Sequence, residues 1–196
     1  MPKVGMEPVR REAMIRATIQ AIGEAGSLDV TVSQIAKRAG MSSALAHHYF
    51  GSKDQIFLAA MRHILRQFGQ QVTLRLRNLD DPETRIRAII AASFSEGQFD
   101  KEVVSAWLTF YVRAMHSEEV ARLLLVYARR LKSNLMHDLR QLFTEVEAEQ
   151  VAQGLASMID GFYIRHALQA VAPDRDATQR LVCDYLALWL ERKSRG

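Results

Sequence analysis

Residues 31–50, TVSQIAKRAGMSSALAHHYF, bring together side chains able to read and grip DNA. Ser43 and Ala44 are small enough to let a helix backbone approach base edges, and His47 and His48 share their outer surface. Phosphate-binding groups surround them. Lys37 and Arg38 end the preceding helical segment, Arg10 and Arg11 lie upstream, and the Tyr49 hydroxyl can donate to a phosphate oxygen. Lys53 falls in the first turn of a further helix, where free backbone amides already favour an anion. With the capping residues Thr31 and Ser42, the expected DNA contacts are Thr31, Lys37, Arg38, Ser42, Ser43, Ala44, His47, His48, Tyr49 and Lys53. The two adjacent histidines also suggest a metal, but successive helical side chains point about 100° apart and cannot easily share one ion. Neither a metal nor a cofactor is expected.

Such side chains need a scaffold that holds one short helix proud of the surface. Thr31 and Gln34 have capping-box spacing and start a helix at Val32, whose Ile35 and Ala36 face inward. Ala39-Gly40-Met41 forms a tight turn in which Gly40 suits a positive φ, and Ser42 caps a second helix anchored by Leu45 and Phe50. A positioning helix, a glycine turn and a reading helix make a helix-turn-helix. An ordinary helical hairpin explains the turn, but not the small polar face.

Charge placement agrees. Residues 1–66 hold 9 Lys+Arg against 5 Asp+Glu, while residues 67–196 hold 17 of each, so the whole net charge of +4 lies in the first third. A basic patch confined to one segment is what a phosphate-binding surface needs. The chain is 48% hydrophobic, ample for a packed core, yet no apolar run reaches the roughly 18 residues of a membrane span. The charged N-terminus has no following apolar stretch of signal-peptide length, so a cytoplasmic protein without membrane contact is expected. Cys183, the only cysteine, forms no internal disulfide and is expected as a small core residue. No phosphate loop, HExxH or cysteine cluster is present, and no enzymatic activity is expected.

Periodicity is helical throughout, giving an all-α chain of about nine helices near 8–24, 32–39, 43–49, 52–78, 83–97, 101–115, 118–144, 146–171 and 175–193. Pro82 and Pro173 lie at breaks between helices. No flexible linker separates residues 50 and 70, which places the domain boundary within the fourth helix. Residues 1–52 are expected to form the DNA-binding domain, and residues 53–196 a larger helical domain, to which the resemblance described next assigns effector binding and dimerisation.

The stretch TVSQIAKRAGMSSALAHHYFGSKDQIFLAAM resembles the signature of TetR-type repressors in its A-x-x-A-G turn and its ending, Tyr49-Phe50-Gly51-Ser52-Lys53-Asp54-Gln55-Ile56. MPKVGMEPVRREAMIRAT, HHYFGSKD, AWLTFY and MIDGFYIRHAL are similar to the BetI-type branch, the choline-responsive repressors of glycine-betaine synthesis. The resemblance implies a TetR-like fold and a homodimer on a near-palindromic operator in double-stranded DNA, its affinity altered by an effector bound in the C-terminal domain. One departure is Ala44-Leu45-Ala46 followed by His47, where small or β-branched residues are expected. It points to a different preferred operator.

The sensor half carries aromatics at helical spacing. Trp107 and Tyr111 lie one turn apart on one face, with Phe110 beside them and Tyr163 and Asp160 on a later segment. Core packing explains any one of these. Under the BetI-type resemblance the set becomes the expected pocket for choline, a quaternary ammonium held by aromatic faces near a carboxylate. Asp160, between Ile159 and Gly161, needs a partner if buried, either the ligand, Arg165 or a backbone amide. The last two segments are broadly apolar, and Leu181, Leu188 and Trp189 give the second more than one buried face; one face can pack on the domain and the rest join a two-fold four-helix interface, with a monomeric core as the alternative.

Overall fold

The computed structural model describes residues 6–26, 29–169 and 174–195, and every regular element among them is helical. In order these are α1 (Met6–Ala25), α2 (Val32–Arg38), α3 (Ser43–Phe50), α4 (Lys53–Leu76), α5 (Pro82–Ser93), α6 (Lys101–Ala114), α7 (Glu118–Leu142), α8 (Glu145–Leu168) and α9 (Arg175–Ser194). The start of the N-terminal match (residues 1–5), the expected end of the eighth helix (170–171) and the break at Pro173 lie outside the described residues.

Caps fix most of the boundaries. Thr31 and Thr144 each form a complete capping box, with Gln34 and Glu147. Ser42, Ser52, Asp81, Ser117 and Asp174 accept hydrogen bonds from first-turn amides. Pro82 occupies the first turn of α5, where its missing N–H costs nothing.

The fourth and fifth helices stop short of expectation. The fourth ends at Leu76 because Asn78 turns into the left-handed region (φ 60°), and the Arg85 guanidinium holds the Leu79 carbonyl at 2.9 Å. The fifth ends at Ser93, ahead of the expected 97. Its chain breaks so that Phe94 can wedge between Phe99 and Phe162, at 5.2 and 6.1 Å between ring centroids, and Gly97 supplies a positive φ.

Two apolar cores result. The smaller joins Met14, Ala17 and Ala21 of α1 to Ile35, Ala36, Ala46 and Ile56. The larger fills α4–α9 and also takes Ile19 and Ile22 from the other side of α1. Within α3 the fully buried residue is Ala46; Leu45, the expected anchor, is only partly buried and belongs to neither core. A small Ala46 against Ile35 and Ala36 lets α2 and α3 approach closely, and Phe50 packs on the same core as expected. Cys183 is half-buried beside Arg87 at the α5–α9 contact, and burial raises its thiol pKa. Deep in the larger core, the carboxylate of Asp138 is held by Arg85 at 2.7 Å, which ties α5 to α7.

Helices α1 and α6 cross at close range. A Cβ added at Gly23 would stand 2.5 Å from the Cα of Glu102, so only glycine fits this crossing without a backbone shift. Gly23→Ala is expected to destabilise the protein by about 1–3 kcal/mol through overpacking. Gly69→Ala in α4, with nothing within 4 Å of its added Cβ, is expected to be neutral or stabilising. Urea denaturation of the two variants beside the parent measures both effects.

Candidate DNA-reading surface and aromatic cage

The reading helix is fastened at both ends. The Ser42 hydroxyl accepts from the Leu45 amide at 3.2 Å, and the His47 ring meets the Gly51 carbonyl through Nδ1 at 2.9 Å, leaving Nε2 unengaged. Gly40 takes the turn into α3 at φ 68°. Ala44, His47 and His48 are exposed and Ser43 is partly so, which gives α3 the outward face expected of it.

The surrounding cations divide into two groups. Lys37 is exposed at the end of α2, and Lys53 begins α4 beside the N-terminal amides capped by Ser52. Arg38 instead forms a two-pronged pair with Glu24 of α1, in which the guanidinium hydrogen bonds hold the Glu24 carboxyl below its usual range. Arg10 donates to the Tyr49 hydroxyl at 3.5 Å, and Arg11 lies over the rings of Tyr49 and Phe50 at 5.7 and 5.1 Å. These two arginines clasp the start of α1 to the end of α3. Thr31 and Ser42 are exposed, and both hydroxyls already serve as helix caps.

Polar side chains tie the N-terminal half of α4 to α6 and α7. Asp54 pairs with Arg113 of α6 at 3.0 Å, while Glu119 of α7 takes Arg62 at 3.0 Å and Gln55 at 3.3 Å. Lys53 therefore lies next to a residue tied directly to α6.

On α6 and α8, the residues expected to form a pocket come together in two layers. Asp160 accepts a hydrogen bond from the Tyr111 hydroxyl at 2.9 Å; this is its partner, and Arg165 is exposed. Tyr111, Asp160 and Tyr127 line a cavity of about 350 Å³ between α7 and α8. Trp107 lies behind them, buried, its ring 5.7 Å from Tyr111, 4.8 Å from Tyr127 and 6.3 Å from Tyr163. Its indole N–H has no acceptor within hydrogen-bonding distance. Tyr163 donates its hydroxyl to the Ser93 carbonyl. Phe110 is fully buried against Phe57 of α4, at 6.2 Å, and contributes to the core. Tyr127 is the residue that sequence spacing does not single out. It occupies a different helix, and only the fold places it against Trp107.

The electrostatics of the cage follow from burial. Desolvation raises the Asp160 carboxyl above its ordinary value, partly opposed by the Tyr111 hydrogen bond. Burial and then the nearby Asp160 charge push the Tyr111 and Tyr127 phenols far above their usual pKa, so both remain hydroxyls. Because the folded pKa of Asp160 is raised, its contribution to stability is present at low pH and is lost as pH rises through that pKa. Tyr111→Phe removes the compensating donor and is expected to raise the Asp160 pKa further. Carboxyl NMR titration of the variant would show this, and a fall instead would disprove the assigned balance.

Comparison with known proteins gives a consistent picture. Residues 14–60 match the bacterial regulatory proteins of the tetR family, and residues 82–191 match the BetI-type transcriptional repressor C-terminal domain. The HTH-type transcriptional regulator BetI of Brucella abortus (strain 2308) is 54% identical over 190 residues, covering 97% of this chain and 96% of the relative. That of Rhizobium meliloti (strain 1021) is 47% identical over 196 residues, covering 100% and 97%. Among solved structures, a transcriptional regulator from Rhodococcus sp. Rha1 superposes with a TM-score of 0.81 at 22% identity, over 92% of this chain and 96% of the other. A putative transcriptional regulator from Saccharomonospora viridis, solved in complex with choline, also gives 0.81, at 20% identity over 90% and 95%. At these identities the solved structures speak for the fold alone.

Proposed function

The chain belongs to the TetR family of transcriptional regulators and has a BetI-type repressor C-terminal domain, and on that premise we propose that it represses glycine-betaine synthesis genes as a homodimer whose operator affinity is set by choline. It is a DNA-binding regulator, and its relatives are named as regulators. The observation that carries the effector assignment is a mostly buried carboxylate, Asp160, in a cavity walled by Tyr111 and Tyr127 and backed by Trp107; Arg129 and Lys132 also line it, Lys132 being paired with Glu149. A quaternary ammonium has no N–H to donate. It therefore suits a site built of aromatic faces and one negative charge, worth about 0.5–2 kcal/mol for each well-placed cation–π contact. The choline complex of the Saccharomonospora viridis protein supports the choice.

We assign the division of labour at residues 52 and 53, with DNA contact by α3, Thr31, Ser42, Tyr49, Lys37 and Lys53. Arg38 acts there chiefly through Glu24. The dimer face is placed on α8 and α9, where Val146, Leu168, Leu181 and Leu188 are more than half exposed. Two copies would present their reading helices about one DNA turn apart, roughly 34–36 Å. No described helix is long and apolar enough to cross a membrane.

The mechanism is a shift between two α4 positions. Choline favours the state in which α6, carrying Trp107, Tyr111 and Arg113, has moved, and Arg113 passes the movement to Asp54. Coupling of this type amounts to about 1–3 kcal/mol.

Choline titrated into the protein should quench or shift tryptophan emission saturably, and Asp160→Asn should weaken binding about tenfold or more. Affinity should rise with pH through the Asp160 pKa, because the cation binds the ionised form. Failure of choline to bind in either fluorescence or calorimetry would remove the effector while leaving the DNA-binding regulator intact. On the DNA side, Lys37→Ala or Lys53→Ala should lower affinity for operators of any sequence and reduce the salt slope by about 0.9 for each phosphate no longer neutralised. Gel shifts at several salt concentrations measure that slope, and an unchanged slope would reject the assigned phosphate contact.

A further inference from the structure

Two adjoining depressions between α4 and α7, of about 740 and 340 Å³, share Leu65, Arg66, Gly69, Arg130 and Asn134 in their walls. Arg77 lines the larger and Arg62 the smaller. Arg62 is committed to Glu119 at 3.0 Å. Arg66, Arg77 and Arg130 form no ion pair among the described residues, and no carboxylate lines either depression. Three unneutralised guanidiniums on one groove exclude a cation, so this is not a second place for a quaternary amine. Nor does Arg77 serve the operator assigned to α3. Arg77 follows Lys53 by 24 residues, about 36 Å at roughly 1.5 Å per helical residue.

Between the arginines the groove is apolar and open. Phe68 and Leu123 form part of its floor, while Leu74 and Val126 stay exposed at 56% and 43%. Gly69 sits where a Cβ would meet nothing within 4 Å. Charge on the rim and apolar surface below is the complement of a molecule with an anionic head and an apolar tail.

We propose that this α4–α7 groove binds a small amphiphilic anion, a carboxylate or phosphate head gripped by Arg66, Arg77 and Arg130 with its alkyl chain laid over Phe68 and Leu123. The site is separate from the cavity at Asp160 but shares a wall with it. Tyr127 lines both, its ring 5.8 Å from Phe68 on the groove side and 4.8 Å from Trp107 on the other. Groove occupancy thus bears on the same α7 ring that faces the proposed effector, and this coupling alone rests on the choline reading.

Isothermal titration of the full chain with octanoate and with octyl phosphate, against 1-octanol as the uncharged match, tests the site. At least one anion should bind saturably, ten times or more tighter than the alcohol, and the better anion identifies the head group. Arg66→Ala combined with Arg130→Ala should weaken that binding at least tenfold. Gly69→Leu, which fills the open space on a helix without requiring a positive φ, should abolish it without lowering the melting temperature. Equal binding of 1-octanol, no binding of either anion, or anion binding indifferent to both variants would overturn the proposal. Anion binding retained in Asp160→Asn, whatever becomes of choline binding, would support the groove as a site separate from the cavity at Asp160, and its loss there would overturn that.

Discussion

The fold depends on α1 being buried on two sides at once. Met14, Ala17 and Ala21 close the small core under the reading helix, while Ile19 and Ile22 enter the large core of the sensor half. Gly23 permits that second contact by letting α1 lie almost backbone to backbone on α6. A helix shared in this way cannot shift against one core without disturbing the other. All of the net positive charge lies within residues 1–66, but the two halves are continuous in packing. Any movement between them has to run through α1, α4 and α6, the helices that carry the joint.

Polar ties at that joint are of a different kind from its apolar contacts. Asp54–Arg113 and Arg62–Glu119 are both at least one-third exposed, and such pairs are individually worth little, about 0–1 kcal/mol. They set orientation more than stability. The buried Arg85–Asp138 pair belongs to the opposite category, because removing either member would strand a charge in the interior. Strong, inflexible links thus hold the sensor half together, and weak, adjustable ones join it to the DNA-reading unit. A regulator that must change shape in one place and keep it in another needs that distribution.

Much of this was legible in the sequence because the signals are local. Thr31 with Gln34, Gly40 and Ser42 determine the helix-turn-helix within a dozen residues, and the structure places each cap and the positive φ as their spacing requires. Helix ends were less legible where tertiary contacts decide them. Nothing in the run from 83 to 97 signals that Phe94 must leave its helix to pack between Phe99 and Phe162. Leu45 looked like an anchor because it is apolar, yet helix register gave the inward position to Ala46. In the cage, Trp107, Tyr111 and Asp160 were identifiable by spacing and by an acidic residue in an apolar run. Tyr127 was not, since its partnership with Trp107 spans helices distant in the chain. Arg38 was visible as a basic residue beside the reading helix. Its bond to Glu24 is a fact of three dimensions.

The way α3 is held has an evolutionary consequence. One fully buried alanine, a serine cap at the start and a glycine at the end secure this eight-residue helix, so most of its positions carry little responsibility for the fold. Substitutions across its outer face can accumulate at small cost in stability, since surface changes away from caps and cores usually stay within about 0.5 kcal/mol. The exceptions are Ala46, fully buried beside Ile35 and Ala36, and Phe50, which packs on the same core. Descendants of this scaffold are thus free to drift toward new operator sequences while the sensing half, and the joint that connects it, stay as they are.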